Sequence, residues 1–219
     1  MKANVDDYDY DYRITRLISL MGMMKQPETD DLIAEFLKSK LVSVKKEAAL
    51  ALIKNNKPVS SFTLKQIASD RDERVNFYDD LNKLNKNNLF PADFRSQQKL
   101  AESYVYQSLL RDDDEDGSSD AELIYIKRVE DEYRGERKRF YFFRVNFPRV
   151  EEDSSETESA ETGSRSYLAI AGPFELDNAK LNIEKGKNIT GLYYEEKFDG
   201  LMMDDYFKKF IEQRSKWVE

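Results

Sequence analysis

The chain reads as an α+β protein. An N-terminal antiparallel stack of helices precedes a small antiparallel β-sheet module that closes with a C-terminal amphipathic helix. Three observations predict this. Apolar residues recur at helical spacing through residues 1–110. They cluster in β-branched and aromatic runs through 121–219. An acidic linker, residues 111–120, separates the two patterns.

The helical part divides at its breakers. Ile14, Leu17, Ile18 and Met21 share one face of a first segment. Leu32, Ile33, Phe36 and Leu37 form the stripe of a second, and Val44, Ala48, Ala51 and Leu52 that of a third. Phe62, Leu64, Ile67 and Ala68 make a fourth. Phe77, Leu81 and Leu84 make a fifth, and Phe94, Leu100, Ala101 and Tyr104 a sixth. Pro27, Pro58, the Asn85–Asn88 cluster and Pro91 stand between them. Before the first stripe, acids and tyrosines alternate from Asp6 to Tyr12, which reads as an edge strand, a docking tail for a basic surface or, by default for a chain end, a frayed terminus.

A repeat runs through this part. Val44, Lys45, Ala48 and Leu52 define a frame that returns 29 residues later as Glu73, Arg74, Phe77 and Leu81, with Asp70 ahead of it. In such a frame the small residue lets two helices approach, the larger ones fill the groove, and the basic residue faces solvent. Residues 30–86 thus resemble two HEAT-type repeats. The resemblance implies a curved scaffold that binds other proteins along a concave face. Two repeats are fewer than the roughly three that stand alone, so the chain is expected to be the terminal part of a larger protein or to be capped by its β module.

In the back half, Leu123–Val129 and Phe140–Phe147 read as strands, with Gly135 in the hairpin turn between them and Pro148 ending the second. Residues 150–166 are too polar to bury anything and read as a mobile loop. Tyr167–Ala171 is a further strand, turned by Gly172 and Pro173. Leu181–Ile183 and Ile189–Phe198 follow as strands, and Met203, Tyr206, Phe207, Phe210, Ile211 and Trp217 give the final helix its apolar face.

Composition narrows the chemistry. The chain holds 219 residues, no histidine and no cysteine. Disulfides, thiolate or imidazole metal sites and histidine-assisted nucleophiles are therefore excluded within it. A formal net charge of -8 opposes general nucleic-acid binding. No stretch approaches the roughly 20 apolar residues of a membrane span. The acidic start, Met1–Tyr12, does not resemble a signal peptide, so the default expectation is a cytoplasmic protein, save where the chain is a fragment of a longer one.

The expected function is a non-enzymatic protein–protein interaction scaffold with no cofactor. The alternative is a binding module. Asp112, Asp114, Asp116 and Gly117 spell the front of a calcium loop, and Asp120 stands at its ninth position. The twelfth position needs a bidentate glutamate and holds Leu123. Arg134, Arg137, Lys138, Arg139 and Arg144, interleaved with Tyr141, form a basic hairpin suited to a polyanion. A third reading, a carboxylate-dependent hydrolase, rests on Glu195 and Glu196 beside Tyr193 and Tyr194.

Overall fold

The computed structural model describes residues 5–110, 122–146, 166–182 and 189–193. The acidic linker 111–120 and the expected terminal helix lie outside these, as do residues 150–165 and 194–198. The described chain is α+β: six α-helices, the last packing against a four-stranded sheet. It divides into two compact units, Met1–Arg95 and Ser96–Glu219.

The first unit holds helices α1 (Val5–Met24), α2 (Pro27–Glu35), α3 (Val42–Lys54), α4 (Ser61–Ser69) and α5 (Arg74–Lys83). The Asp6–Tyr12 alternation lies within α1 and so departs from the expected frayed end. Pro27 opens α2 at its first turn, where its missing N–H costs nothing. Ser60 caps α4, its hydroxyl accepting from the Thr63 N–H at 3.1 Å. The apolar stripes meet in part, since Leu17, Leu32 and Phe62, expected within them, are exposed. Ile18, Ile33, Val44, Ala48, Ala51 and Leu52 form one cluster, with Ile14 and Met21 packed against it. Gly22 lets α1 approach α3, since a Cβ there would sit 2.8 Å from that of Ala51.

The repeat frame has a structural counterpart at the helix ends. Asn56 closes α3 and Asn85 closes α5, 29 residues apart, with φ of 58° and 55°. After α3, the Lys57 N–H donates to the Leu52 carbonyl at 2.9 Å and that of Asn56 to Ile53 at 3.0 Å. After α5, the Lys86 N–H donates to Leu81 at 2.8 Å and that of Asn85 to Asn82 at 3.0 Å. Each helix thus ends in the same left-handed cap, which satisfies its last carbonyls. One feature of the frame differs from expectation. Lys45 and Arg74 are buried at 9 % and 2 % exposure, not solvent-facing. Each reaches α4: Lys45 donates to the Gln66 side chain, and Arg74 donates to the Ala68 and Ser69 carbonyls at its end. The carbonyl end of a helix needs donors, and the Arg74 guanidinium supplies them to α4.

The second unit begins with α6 (Gln97–Leu110), which its helical pattern alone groups with the front half. Ala101 and Val105 of α6 pack on the sheet against Leu123, Tyr141, Phe143, Val145, Ala169, Ala171 and Phe174, and that burial places it there. The strands are β1 (Glu122–Tyr133), β2 (Glu136–Asn146), β3 (Ser166–Phe174) and β4 (Ile189–Tyr193). All neighbours are antiparallel and lie side by side in chain order. The charged stretch 130–139 belongs to the strands on both sides of a two-residue turn, Arg134–Gly135, with φ of 56° and 78°. Two positive φ values at the centre suit the right-handed twist of the paired strands.

Gly172 and Pro173 do not turn β3 as their residue types suggest. The strand runs through them to Phe174. The pairing slips there: two residues of β3 lie between Phe174 and Ala171, where β2 has only Phe140 between Arg139 and Tyr141. A bulge tolerates a proline that has no ladder N–H to give. Leu181 and Asn182 are not in a strand, though Leu181 is buried.

Two outcomes follow. Asn56→Ala and Asn85→Ala should each cost about 1 kcal/mol in urea unfolding, while glycine at either position should cost nothing, since only the left-handed backbone is at stake. Gly172→Ala should cost about 2 kcal/mol or more. Its Cβ would lie 2.6 Å from Phe140 Cδ1 and 2.9 Å from the Arg139 carbonyl oxygen, at a φ of 156°.

Candidate functional site

The basic hairpin is where the sequence concentrates its chemistry, and the pleat distributes it. Successive side chains of β2 alternate between two faces. Arg137, Arg139 and Tyr141 share the face toward α6, and Lys138 and Arg144 take the other. Arg134 sits in the turn, with its guanidinium over the Tyr133 ring at 5.4 Å from the centroid. Arg134, Arg137 and Arg144 are exposed. Lys138, Arg139 and Tyr141 are buried, at 4 %, 6 % and 5 % exposure.

The buried members have internal partners. Lys138 lies 2.7 Å from both Glu136 and Glu175. Arg139 donates through Nε and Nη2 to Glu130 Oε1, at 3.1 and 2.9 Å. Its Nη2 also donates to the Leu176 carbonyl at 3.1 Å. Its Nη1 donates to Gln97 Oε1 at 2.8 Å and to Asn178 Oδ1. All five guanidinium N–H groups are thereby used. A buried cation is tolerated only when it is paired and hydrogen-bonded in this way.

Gln97, the first residue of α6, completes the network. Its Oε1 also accepts from the Tyr141 hydroxyl at 3.0 Å. Its Nε2 faces the carbonyls of Glu175, Asp177 and Lys180 at 2.7, 3.0 and 2.8 Å. One amide therefore ties α6, β2 and the segment after β3. Burial pushes the Tyr141 hydroxyl above its ordinary pKa, with Arg139 pulling the other way. The tyrosine is accordingly a neutral donor across the physiological range. Gln97, Glu130, Glu175 and Asn178 escaped the sequence reading, since a single amide or acid in a chain with 43 acids carries no local signal.

The first unit has its own charged cluster. Lys46 of α3 pairs with Glu73 at 2.8 Å and lies 3.6 Å from Glu47. Burial works against the Lys46 ammonium, but Glu73 and Glu47 outweigh it and raise its pKa. Burial likewise pushes the Glu47 carboxyl above its ordinary range. The Lys46–Glu73 pair joins α3 to the start of α5.

The calcium-loop residues Asp112, Asp114, Asp116 and Asp120 lie outside the described residues, as do Glu195 and Glu196. Among the described residues, no group of three or more acids is placed to hold a metal ion. None of their helices is long and apolar enough to cross a membrane. Comparison with family models, curated proteins and solved structures returned no match to this chain.

The network makes a sharp expectation. Gln97→Leu should lower stability by about 2–3 kcal/mol by orphaning buried partners, and should speed amide exchange at residues 177–180. Arg139→Lys should cost about as much although it keeps the charge, because three donors on a point cannot serve a fork of five. An exchange rate unchanged in Gln97→Leu would show that the amide does not hold that segment.

Proposed function

We propose that the chain is a non-enzymatic scaffold that works by protein–protein contact through its helical unit. The observation that carries this is a second apolar row on α1. Ile14, Ile18 and Met21 face the core, as described. Leu17, Leu20 and Met24 recur at helical spacing on another side and are 48 %, 56 % and 57 % exposed. Met23 beside them is 60 % exposed, and Leu32 of α2 is 59 % exposed. A helix apolar on two sides is suited to packing between two layers, and one of those layers is its own α3. Large exposed apolar side chains in a row mark a contact surface.

The tandem frame supports the same reading. α3 and α5 share spacing, basic residue and cap, as two HEAT-type repeats over residues 30–86 would. In repeat stacks each layer buries the apolar face of its neighbour, so the first helix presents a face to whatever adjoins it. A partner helix with a matching apolar stripe is the occupant that fits. The exposed cations of the hairpin support the polyanion reading less well, since Arg137 and Arg144 lie on opposite faces of β2.

A photo-crosslinking residue placed at Leu20 in the native cell should capture a discrete protein species. The species should disappear when Leu17 and Met24 are both changed to glutamate, and should not form from the exposed position Lys38. Capture that is equal from Lys38, or that survives the double glutamate change, would overturn the proposal.

A further inference from the structure

We infer that strand β1 is a homodimerisation edge, on which a second copy of this chain adds its own β1 antiparallel about a two-fold axis at Val129. Among the described residues, β1 is an outer strand of the sheet, with β2 on one side and no strand on the other. It is 12 residues long, well above the short edges that resist pairing. An outer strand presents a ladder of donors and acceptors to any chain that can match it.

The hairpin geometry fixes which residues face outward. A two-residue turn closes on a hydrogen-bonded pair, here Tyr133 and Glu136. The pairing then runs without a slip back to Lys127 opposite Phe142. Tyr133, Asp131 and Val129 therefore direct their backbone groups to β2, and Glu130 and Arg128 direct theirs outward, as does Glu132, whose N–H donates to its neighbour Asp131 Oδ1 at 2.7 Å. A second β1 can match this ladder only where residues of the same parity stand opposite each other, so a two-fold axis must pass through a residue and its own copy.

Charge then selects the residue. The run is Lys127, Arg128, Val129, Glu130, Asp131, Glu132. An axis at Lys127 or Arg128 sets like cations against each other, and one at Glu130 or Asp131 sets like anions. Val129 is the single uncharged residue. An axis there puts Arg128 opposite Glu130 twice and Lys127 opposite Asp131 twice. Opposite charges across a strand pair stabilise it, and like charges oppose it. Arg128 Nε lies 4.0 Å from Glu130 Oε1 of its own chain, and the two side chains are still 52 % and 29 % exposed. Glu130 holds Arg139 through Oε1, while its Oε2 lies 3.9 Å from Arg137. The carboxylate can thus serve its own chain and the neighbour together.

Edge charges commonly guard a sheet against association. A guard of one sign repels every copy. This edge instead changes sign about Val129, so the order that would repel a random strand matches itself. The contact is isologous and closes as a dimer rather than a fibre.

The absence of cysteine makes the register directly measurable. Residues opposite each other in a non-hydrogen-bonded pair have Cα atoms about 4.5 Å apart, within disulfide range. Full-length Val129→Cys should form a disulfide-linked dimer under mild oxidation, while Asp131→Cys, which faces Lys127 of the other copy, should not. By sedimentation equilibrium the wild-type chain should show reversible dimers. Lys127→Glu and Asp131→Lys should each weaken the dimer by about tenfold. A mixture of the two variants should restore it. The carboxylate introduced in one copy then faces the ammonium introduced in the other, and across the second pair native Lys127 faces native Asp131. Restoration in the mixture also shows that neither variant is weak through misfolding. A wild-type chain that stays monomeric into the millimolar range, equal cross-linking by Val129→Cys and Asp131→Cys, or failure of the mixture to re-form dimers would overturn the inference.

Discussion

The sheet unit is organised around the burial of one guanidinium. A cation placed in a low-dielectric interior is tolerable only where every N–H finds an acceptor. Arg139 meets that condition by drawing on β1 through Glu130, on α6 through Gln97, and on the segment after β3 through Leu176 and Asn178. The apolar cluster beneath α6 supplies most of the driving force for docking. Hydrophobic contact is not directional, however, and helices slide on such surfaces at small cost. The Arg139–Gln97 bond, with the three carbonyls on the other side of the amide, gives the docking a single register.

How much of this was legible depended on whether the signal was local. The five front stripes and the hairpin are patterns of neighbours, so Ile18, Ala48, Phe77 and the Phe140–Phe143 run declared their burial in advance. The sheet assignment of α6 was not legible. Its Ala101 and Val105 would suit a helical neighbour as well as a strand surface, and only tertiary contact decides between them. The same holds for Gly172 and Pro173. Together they signal a turn, yet the pressure of Phe140 against a bare Cα makes them a bulge inside β3. Lys138 and Arg139 show the limit most plainly. Adjacent cations in a sequence suggest one basic patch, but a strand sends them to opposite faces, where Lys138 meets Glu175 and Arg139 meets Glu130 across the hairpin.

The two units use different means to end their elements. In the helical unit, left-handed asparagines stop α3 and α5 at matching points. Asp30 reinforces the first of these, accepting from the Asn55 side chain at 2.7 Å and lying 3.3 Å from Lys57. Asparagine suffers a smaller penalty in this conformation than other side-chained residues, and its use at both sites is what gives the frame its identical finish. In the sheet unit a single Arg–Gly turn sets the β1–β2 alignment from Tyr133 back to Lys127, and with it the parity of that stretch of the outer edge, before a bulge at Tyr125–Lys127 shifts the register.

Strand order equal to chain order has a consequence for how the molecule is made. Each strand pairs with the one synthesised just before it, so no crossover must wait for a distant segment. The helical unit ends at Arg95, before any strand residue has been added to the growing chain. Vectorial synthesis can therefore complete the helices first and then lay down the sheet as a meander, with α6 already present to receive it. A long outer strand is most exposed to wrong partners while its sheet is incomplete, and this order of assembly gives β1 its own β2 within a few residues of its emergence.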